Sequence, residues 1–262
     1  MLGAVIGDIV GSRFEWKNTK SKDFELFTPE CHITDDSVMT LALARAILNS
    51  AGRREELGKE AVRCMQAFGR RWARGCYGGS FSRWLLSDEP RPYGSWGNGS
   101  AMRVSACAWA AQSLEEALDM ARTVTEVTHD HTEGIKGALA VTAVIWLARH
   151  GASKAEIREH VETNYYRLDF TLDDIRPSYS FDVSCQGSVP QAIEAFLEAE
   201  SFEDAVRNAI SLGGDSDTIG AMAGSMAEAF YGIPSDLRER ALAYLEPELK
   251  EVVTEFEASY SG

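Results

Sequence analysis

Two short acidic clusters hold the residues of this 262-residue chain that are best suited to chemistry. The first reads T-D-D-S at 34–37, and the second reads G-G-D-S-D-T-I-G at 213–220. Each stands before an apolar stretch with helical spacing. Asp, Ser and Thr are favoured at helix N-termini, where carboxylates also complement the helix dipole. Taken singly, either cluster is therefore explained by helix capping.

Taken together, the two clusters also fit a metal site. Asp35 with Asp36, and Asp215 with Asp217, form two tight groups of carboxylates, and like charges this close are costly unless a cation lies between them. Mg²⁺ and Mn²⁺ take oxygen ligands of this kind. The double glycine before Asp215 lets the backbone turn both carboxylates of its cluster into one cavity. Hydroxyl ligands are available from three neighbours: Thr34, Ser37 and Thr218. The residues alone leave capping and metal binding both open.

A third acidic element lies in the stretch G-A-V-I-G-D-I-V-G-S-R-F-E at 3–15. Glycine recurs there at every fourth residue from 3 to 11, on one face of a helix, so a second helix can approach closely. We expect Asp8 to be a buried, hydrogen-bonded anchor of this helix rather than a ligand. Glu15 ends the segment beside polar residues, and its position alone supports no functional role.

Glycine and aromatic residues concentrate at 75–99, a composition that predicts an irregular and functional loop. The turn G-N-G-S at 97–100 stands before A-M-R-V, which we expect to be helical, and bare amides at a helix N-terminus suit phosphate. It lacks the ending of a P-loop, so it is a weak signal. Tyr93 and Trp96 either stack on a base or sugar or pack beneath the loop.

The motif T-H-D-H at 128–131 lies between two predicted helices. A His-Asp dipeptide also occurs in one family of metal phosphohydrolases, but the other histidines of the chain stand in no matching context. We expect His129 instead to donate a hydrogen bond to a substrate phosphate or ribose.

The elements that must position these residues are helices. Nearly every apolar stretch has intervals of three and four residues, and no run of alternating β-branched residues predicts a strand. The stretch 133–150 is apolar almost all round, as in a central buried helix. We therefore predict an all-α fold, in which residues 1–262 form a single compact multi-helix domain. Further helices are predicted at 36–50, 55–74, 100–111, 114–127, 153–163, 188–199, 202–212, 216–230 and 246–258.

Composition restricts the class of partner. The chain has 26 Lys and Arg against 40 Asp and Glu, a net charge of −14, which argues against a free nucleic-acid backbone or an anionic membrane surface. Its five widely spaced cysteines form neither a disulfide framework nor a zinc site, and the apolar N-terminal run is interrupted at Asp8. We expect a cytoplasmic protein. The sequence indicates no oligomeric state.

The motifs as a set resemble the ADP-ribosylglycohydrolase family, over most of the chain. The resemblance is carried in the family's order by six segments: 7–15, 33–39, 77–81, 95–104, 128–131 and 213–220. It implies an all-α fold of the ADP-ribosylglycohydrolase type with two Mg²⁺ ions, or Mn²⁺. The metal ligands that it implies are Thr34, Asp35, Asp36, Asp215, Asp217 and Thr218.

The resemblance also implies roles around those metals. Glu15 matches a glutamate near the metals, and either it or Asp36 would accept a proton during hydrolysis. His129 matches a histidine that contacts the substrate. Trp96 stands where the family usually has Tyr or Phe beside the adenosine. The loop matched to the diphosphate consists of Ser95, Gly97, Asn98 and Gly99.

The activity that the resemblance implies is hydrolysis of the N- or O-glycosidic bond between ADP-ribose and an acceptor. The acceptor is either a protein side chain or a small molecule, and the sequence does not distinguish them. One alternative is a module that binds ADP-ribose without turnover. Another is a helical enzyme of prenyl diphosphates, but the third carboxylate of that family's first motif is replaced here by Met39.

Overall fold

The computed structural model describes residues 1–50 and 53–260, and these contain α-helices but no named strand. The all-α prediction is confirmed. The helices are α1 (Leu2–Gly11), α2 (Asp35–Ser50), α3 (Arg54–Arg71), α4 (Gly79–Leu86), α5 (Ser105–Ala110), α6 (Leu114–Glu126), α7 (Thr132–Arg149), α8 (Lys154–Asn164), α9 (Leu172–Ile175), α10 (Cys185–Leu197), α11 (Phe202–Ser211), α12 (Ser216–Tyr231), α13 (Ser235–Ala243) and α14 (Pro247–Tyr260).

The helix pair α1 and α12 lies at the centre of the fold, and every residue of α1 is buried. Their backbones touch through glycine. A Cβ atom added to Gly7 would lie 1.9 Å from the carbonyl oxygen of Gly220, and one added to Gly3 would lie 2.3 Å from that of Gly224. The predicted close approach of a second helix to the glycine face is confirmed. We call this contact the glycine seam.

The remaining helices surround this pair. Helix α2 packs on α1, α3 and α14, and α7 packs on α6, α10 and α12. The predicted central helix is α7, whose buried residues include Val141, Val144 and Ile145. Ser113, Ser153 and Ser201 cap α6, α8 and α11 through their hydroxyl groups, which fixes where these helices begin.

The region 75–99 is less irregular than predicted, because it contains α4. The glycines at its start concealed this helix, which is held by the buried Phe81, Trp84 and Leu85 at helical spacing. The helix predicted at 100–111 begins only at Ser105, after a 3₁₀ turn at Asn98–Ser100 and further turns. Helices α9 and α13 lay outside the predicted set.

All five cysteines are free thiols, and four of them are buried. None of the described helices combines the length and the apolar character that a membrane crossing requires.

Candidate metal centre and substrate cleft

A cavity of about 570 Å³ opens where the C-terminal end of α1 meets the first turns of α2 and α12. This volume lies within the range of small-molecule sites. The carboxylates of both acidic clusters lie on its floor, and the segments 75–81, 93–99 and 181–183 form its walls and mouth.

Packing at the glycine seam brings the acidic residues together. Asp8 lies within α1, Asp35 begins α2, and Asp215 is the N-cap residue of α12. A Cβ atom added to Gly11 would lie 2.5 Å from the Cα atom of Asp217, so the second cluster lies directly on α1. Segments more than 200 residues apart in sequence therefore share one floor.

The carboxylates form two groups that share one member. In the first group, Asp8, Asp36 and Asp217 each offer an oxygen within 4.8 Å of the others. In the second group, Glu15, Asp215 and Asp217 do the same. Asp217 therefore lies between two sets of oxygen ligands, an arrangement that suits two neighbouring cations.

Asp8 is the anchor that its sequence context predicted. It is fully buried and accepts hydrogen bonds from the backbone amides of Thr34 and Ser37, at 3.0 and 3.1 Å, and from both of their hydroxyl groups. These bonds tie the start of α2 to α1. Its place beside Asp36 and Asp217 was not predicted, because no sequence signal showed which helix packs on which.

Two buried carboxylate oxygens lack partners. Oδ1 of Asp36 and Oδ1 of Asp217 are buried and accept no hydrogen bond from the described residues. The other oxygen of Asp36 accepts from the hydroxyl group of Thr218 at 3.1 Å. An anionic oxygen left bare in a buried site is costly, and a divalent cation is the natural partner for two of them. The residues present therefore fit a metal centre.

Burial raises the pKa of every carboxyl group on this floor. Burial first, and then the charge of the nearby Asp8, raise the pKa of Asp35 to about 8. Burial, followed by repulsion from neighbouring carboxylates, holds the pKa values of Asp36 and Asp217 well above their ordinary range. The pKa of Glu15 is raised by burial and then by Asp215. The floor therefore needs either protons or cations to balance its charge.

The predicted metal ligands occupy different depths. Asp35 lines the cavity and is only partly buried, and neither of the two carboxylate groups includes it. Thr34 lies beneath the floor, where its hydroxyl group donates to Oδ1 of Asp8 at 2.7 Å. Of the predicted ligands, the structure thus brings Asp36, Asp217 and Thr218 together at the centre of the cavity floor.

The glycine loop at 95–99 is joined to the carboxylate floor by a side chain. The Nδ2 group of Asn98 donates to Oδ2 of Asp215 at 2.7 Å, and both residues are buried. The prediction of bare amides is wrong for three of the four residues of the turn 97–100. The amide of Gly97 donates to Ser95 Oγ, and that of Asn98 donates to the carbonyl of Val183 at 2.8 Å. The amide of Ser100 also donates, to the carbonyl oxygen of Gly97 at 3.3 Å. The loop is therefore held both by its own residues and by the segment at 183–185, to which Asn98 and Trp96 are hydrogen-bonded.

The two predicted substrate-contacting rings lie in different surroundings. His129 is 5% exposed and lines the cavity, and burial lowers its pKa well below the ordinary value, with a further contribution from Arg103. Trp96 is 52% exposed, lies edge-on to His131, and is not among the residues that line the cavity. Tyr93 lines it instead, with its ring centre 5.7 Å from that of His129.

The mouth of the cavity carries apolar side chains that were not singled out from the sequence. Trp16 is 79% exposed and stacks on Phe181 with ring centres 5.3 Å apart, and Val183 is exposed beside them. These three residues form the apolar rim. Trp16 directly follows Glu15 in the sequence, which places it near the candidate site. Its residue type alone does not show that its side chain is exposed.

The fold and its floor define a class of helical proteins with a buried cluster of carboxylates that could hold metal ions. A solved structure described as an ADP-ribosylglycohydrolase-related protein complex has the same fold, with a TM-score of 0.70 and 22% identity, covering 98% of this chain and 95% of that one. The family model for ADP-ribosylglycohydrolase matches residues 1–260. The chain belongs to the ADP-ribosylglycohydrolase family, a group of enzymes that act on glycosyl bonds, and the predicted resemblance is confirmed.

Curated relatives agree with this assignment. The chain is 28% identical to ADP-ribosylhydrolase ARH3 from Mus musculus, covering 89% of this chain and 83% of the relative. It is 26% identical to ADP-ribosylarginine hydrolase Tri1 from Pseudomonas putida, covering 89% and 70%. It is 25% identical to ADP-ribosyl-[dinitrogen reductase] glycohydrolase from Rhodospirillum rubrum, covering 88% and 84%.

Proposed function

We propose that this chain is a metal-dependent hydrolase that cleaves the glycosidic bond between ADP-ribose and an acceptor, releasing ADP-ribose. One observation carries the proposal: two groups of carboxylates share Asp217, with bare buried oxygens, on the floor of a cleft of about 570 Å³. The names of the relatives, all ADP-ribosyl hydrolases, support the choice of bond. The whole chain, 1–262, would act as one domain, because segments far apart in sequence build the floor together.

The centre would hold two divalent ions, Mg²⁺ or Mn²⁺. When bound, such ions lower the pKa of a nearby water and stabilise developing negative charge. Asp8 and Glu15 would add their carboxylates to the ligands or to their supports, since each belongs to one of the two groups. The ligands proposed from sequence are Thr34, Asp35, Asp36, Asp215, Asp217 and Thr218.

Glu15 is the better proton acceptor of the two candidates, Glu15 and Asp36. Its side chain is partly exposed and lines the cavity, so it can reach a water beside the bound substrate. Asp36 is buried, with one oxygen taken by a hydroxyl group and the other bare. We assign Asp36 to the metals, and Glu15 to the proton of the water that attacks the anomeric carbon.

The walls of the cleft would hold the ADP-ribose. The glycine loop, Ser95 with Gly97–Gly99, and His129 lie on one wall, where a neutral imidazole can donate a hydrogen bond to a diphosphate oxygen. Trp96, beside this loop, would cover the adenosine only at the outer edge, because its ring is exposed. The acceptor would leave through the mouth.

A release assay tests the proposal. Free ADP-ribose is measured after incubation with arginine-linked, serine-linked and small-molecule conjugates, in Mg²⁺, in Mn²⁺ and in EDTA. We expect EDTA and Asp217→Asn each to abolish release, and Asp119→Asn, a change at an exposed helix position, to leave it unchanged. Full turnover after chelation and in Asp217→Asn would refute the metal-dependent mechanism.

The competing function is a module that binds ADP-ribose without cleaving a conjugate. Calorimetric binding of ADP-ribose, together with no release from any conjugate in either metal, would favour the module. The same panel also identifies the acceptor, since only a conjugate with a suitable leaving group is turned over.

A further inference from the structure

The wall of the cleft contains a buried arginine that the proposed function does not use. Arg103 is 1% exposed, lies in the turns between the 3₁₀ turn and α5, and lines the cavity. It forms no ion pair with the described residues, and its Nε group has no hydrogen-bond partner among them. A buried guanidinium without a carboxylate is costly, so its contacts are informative.

Arg103 is the first member of a short hydrogen-bonded chain. Its Nη2 group donates to the hydroxyl oxygen of Thr128 at 2.6 Å. That same oxygen lies 2.7 Å from Nδ1 of His129. Thr128 is fully buried and His129 is 5% exposed, so no bulk water competes for these bonds.

The chemistry of the three groups determines which atom donates and which accepts each hydrogen bond. A guanidinium only donates, so the oxygen of Thr128 must accept from Arg103. The single hydroxyl proton then has two possible acceptors: Nδ1 of His129 at 2.7 Å, and the carbonyl of Thr125 at 3.3 Å. The shorter distance favours Nδ1, since hydrogen bonds between hydroxyl groups and such acceptors weaken beyond about 3.0 Å. Nδ1 is then an acceptor, and the proton of the neutral ring is on Nε2.

Nε2 is the nitrogen that faces the glycine loop. It lies 3.6 Å from the position that a Cβ atom would take on Gly97, and 3.5 Å from that position on Gly99. A proton on Nε2 therefore offers a donor beside the loop. The opposite tautomer would present a lone pair there, which repels an anionic oxygen.

We propose that Arg103 is a positioning residue which, through Thr128, holds His129 in the Nε2–H tautomer and so presents a hydrogen-bond donor to the diphosphate of the substrate. The proposal rests on the proposed function for the identity of the ligand, but the relay itself is a property of the free protein. The adjacent positive charge acts in the same direction, because it disfavours a second proton on the ring.

Nitrogen-15 NMR of histidine-labelled protein tests the relay directly, with His129 assigned from the spectrum of His129→Gln. In the unsubstituted protein we expect Nε2 to carry the proton. Arg103→Met and Thr128→Val should each shift protonation toward Nδ1, whereas the matched variants Arg103→Lys and Thr128→Ser should retain Nε2–H. A wild-type ring protonated on Nδ1, or a tautomer unchanged in both disruptive variants, would overturn the proposal.

Binding of ADP-ribose provides a second readout that does not depend on turnover. Loss of one hydrogen bond to a charged group should weaken the Kd by about tenfold or more in Arg103→Met and Thr128→Val, with recovery in the conservative variants. If Arg103→Met does not fold, as judged by circular dichroism, the near-isosteric Thr128→Val and Thr128→Ser pair decides.

The two proposals fail separately. An unchanged tautomer alongside normal ADP-ribose release refutes the relay alone. A shifted tautomer in a protein that releases no ADP-ribose refutes the hydrolase alone.

Discussion

Replacing Gly7 by alanine should disturb both the fold and the carboxylate floor, because its Cβ atom has no room. The added atom would lie 1.9 Å from the carbonyl oxygen of Gly220, and the shortest ordinary contact is 3.4 Å, so α1 and α12 must separate by about 1.5 Å. Overpacking of this kind costs about 1–3 kcal/mol. The gain from placing alanine in a helix, about 1 kcal/mol, offsets only part of it.

The separation also acts on the proposed metal centre. Asp8 is the next residue of α1 after Gly7, while Asp217 lies one turn before Gly220 in α12. Metal–ligand distances tolerate about 0.2 Å, so a displacement of 1.5 Å should weaken Mn²⁺ binding by at least about tenfold.

Thermal unfolding in EDTA and calorimetric titration with Mn²⁺ measure the two effects. Subtracting the helical gain from the middle of the overpacking range leaves a net loss of about 1 kcal/mol, which in a chain of this size corresponds to a decrease in Tm of about 2–4 °C. Gly58→Ala in α3 is the matched control, because its Cβ atom would meet only a methyl group of Thr123 at 3.5 Å. That variant should be stabilised by about 0.5–1 kcal/mol. If Gly7→Ala instead keeps both the Tm and the Mn²⁺ affinity of the unsubstituted protein, the seam does not set the geometry of the floor.

Three further predictions concern the floor, the loop and the mouth. In EDTA, the free energy of unfolding should fall as pH rises from about 4 to about 8, because folded Asp35, with a pKa of about 8, keeps a proton that the unfolded chain releases near its ordinary value of 3.8. Thermal unfolding across that range checks this, and saturating Mn²⁺ should remove the slope. Asn98→Ala should cost about 1–3 kcal/mol in urea unfolding, because Asp215 loses a buried donor; an unchanged midpoint contradicts this. Trp16→Ala and Phe181→Ala should lower kcat/KM for ADP-ribosylated proteins but not for small conjugates, and an equal loss on both would place the rim against ADP-ribose instead.

The sequence was sufficient for the parts of the site that depend on local patterns. Acidic and hydroxyl residues before apolar helical stretches predicted where α2 and α12 begin, and the glycine spacing predicted that a helix would lie on α1. The identity of that helix was out of reach, because it lies more than 200 residues away. Asp8 was consequently expected to be only an anchor, and its proximity to Asp36 and Asp217 became visible only in three dimensions.

Other features were hidden because residue type does not determine exposure. Phe81 and Trp84 have the spacing of a buried helix face, but the glycines before them favoured a loop. Trp16 and Phe181 are ordinary core residues by type, and only the structure shows them at the mouth of the cleft. Arg103 is the reverse case, a residue of surface type that is almost completely buried.

The glycine seam has a consequence for the order in which parts of the molecule open. The residues of α1, and those of α12 up to Ala227, are buried, so their amides should exchange with deuterium only through global unfolding, whereas the segments around the apolar rim should exchange through local opening. If the floor binds cations as proposed, they would enter a scaffold that the seam already holds together. Because burial raises the pKa of its carboxyl groups, each arriving cation would displace protons into the buffer.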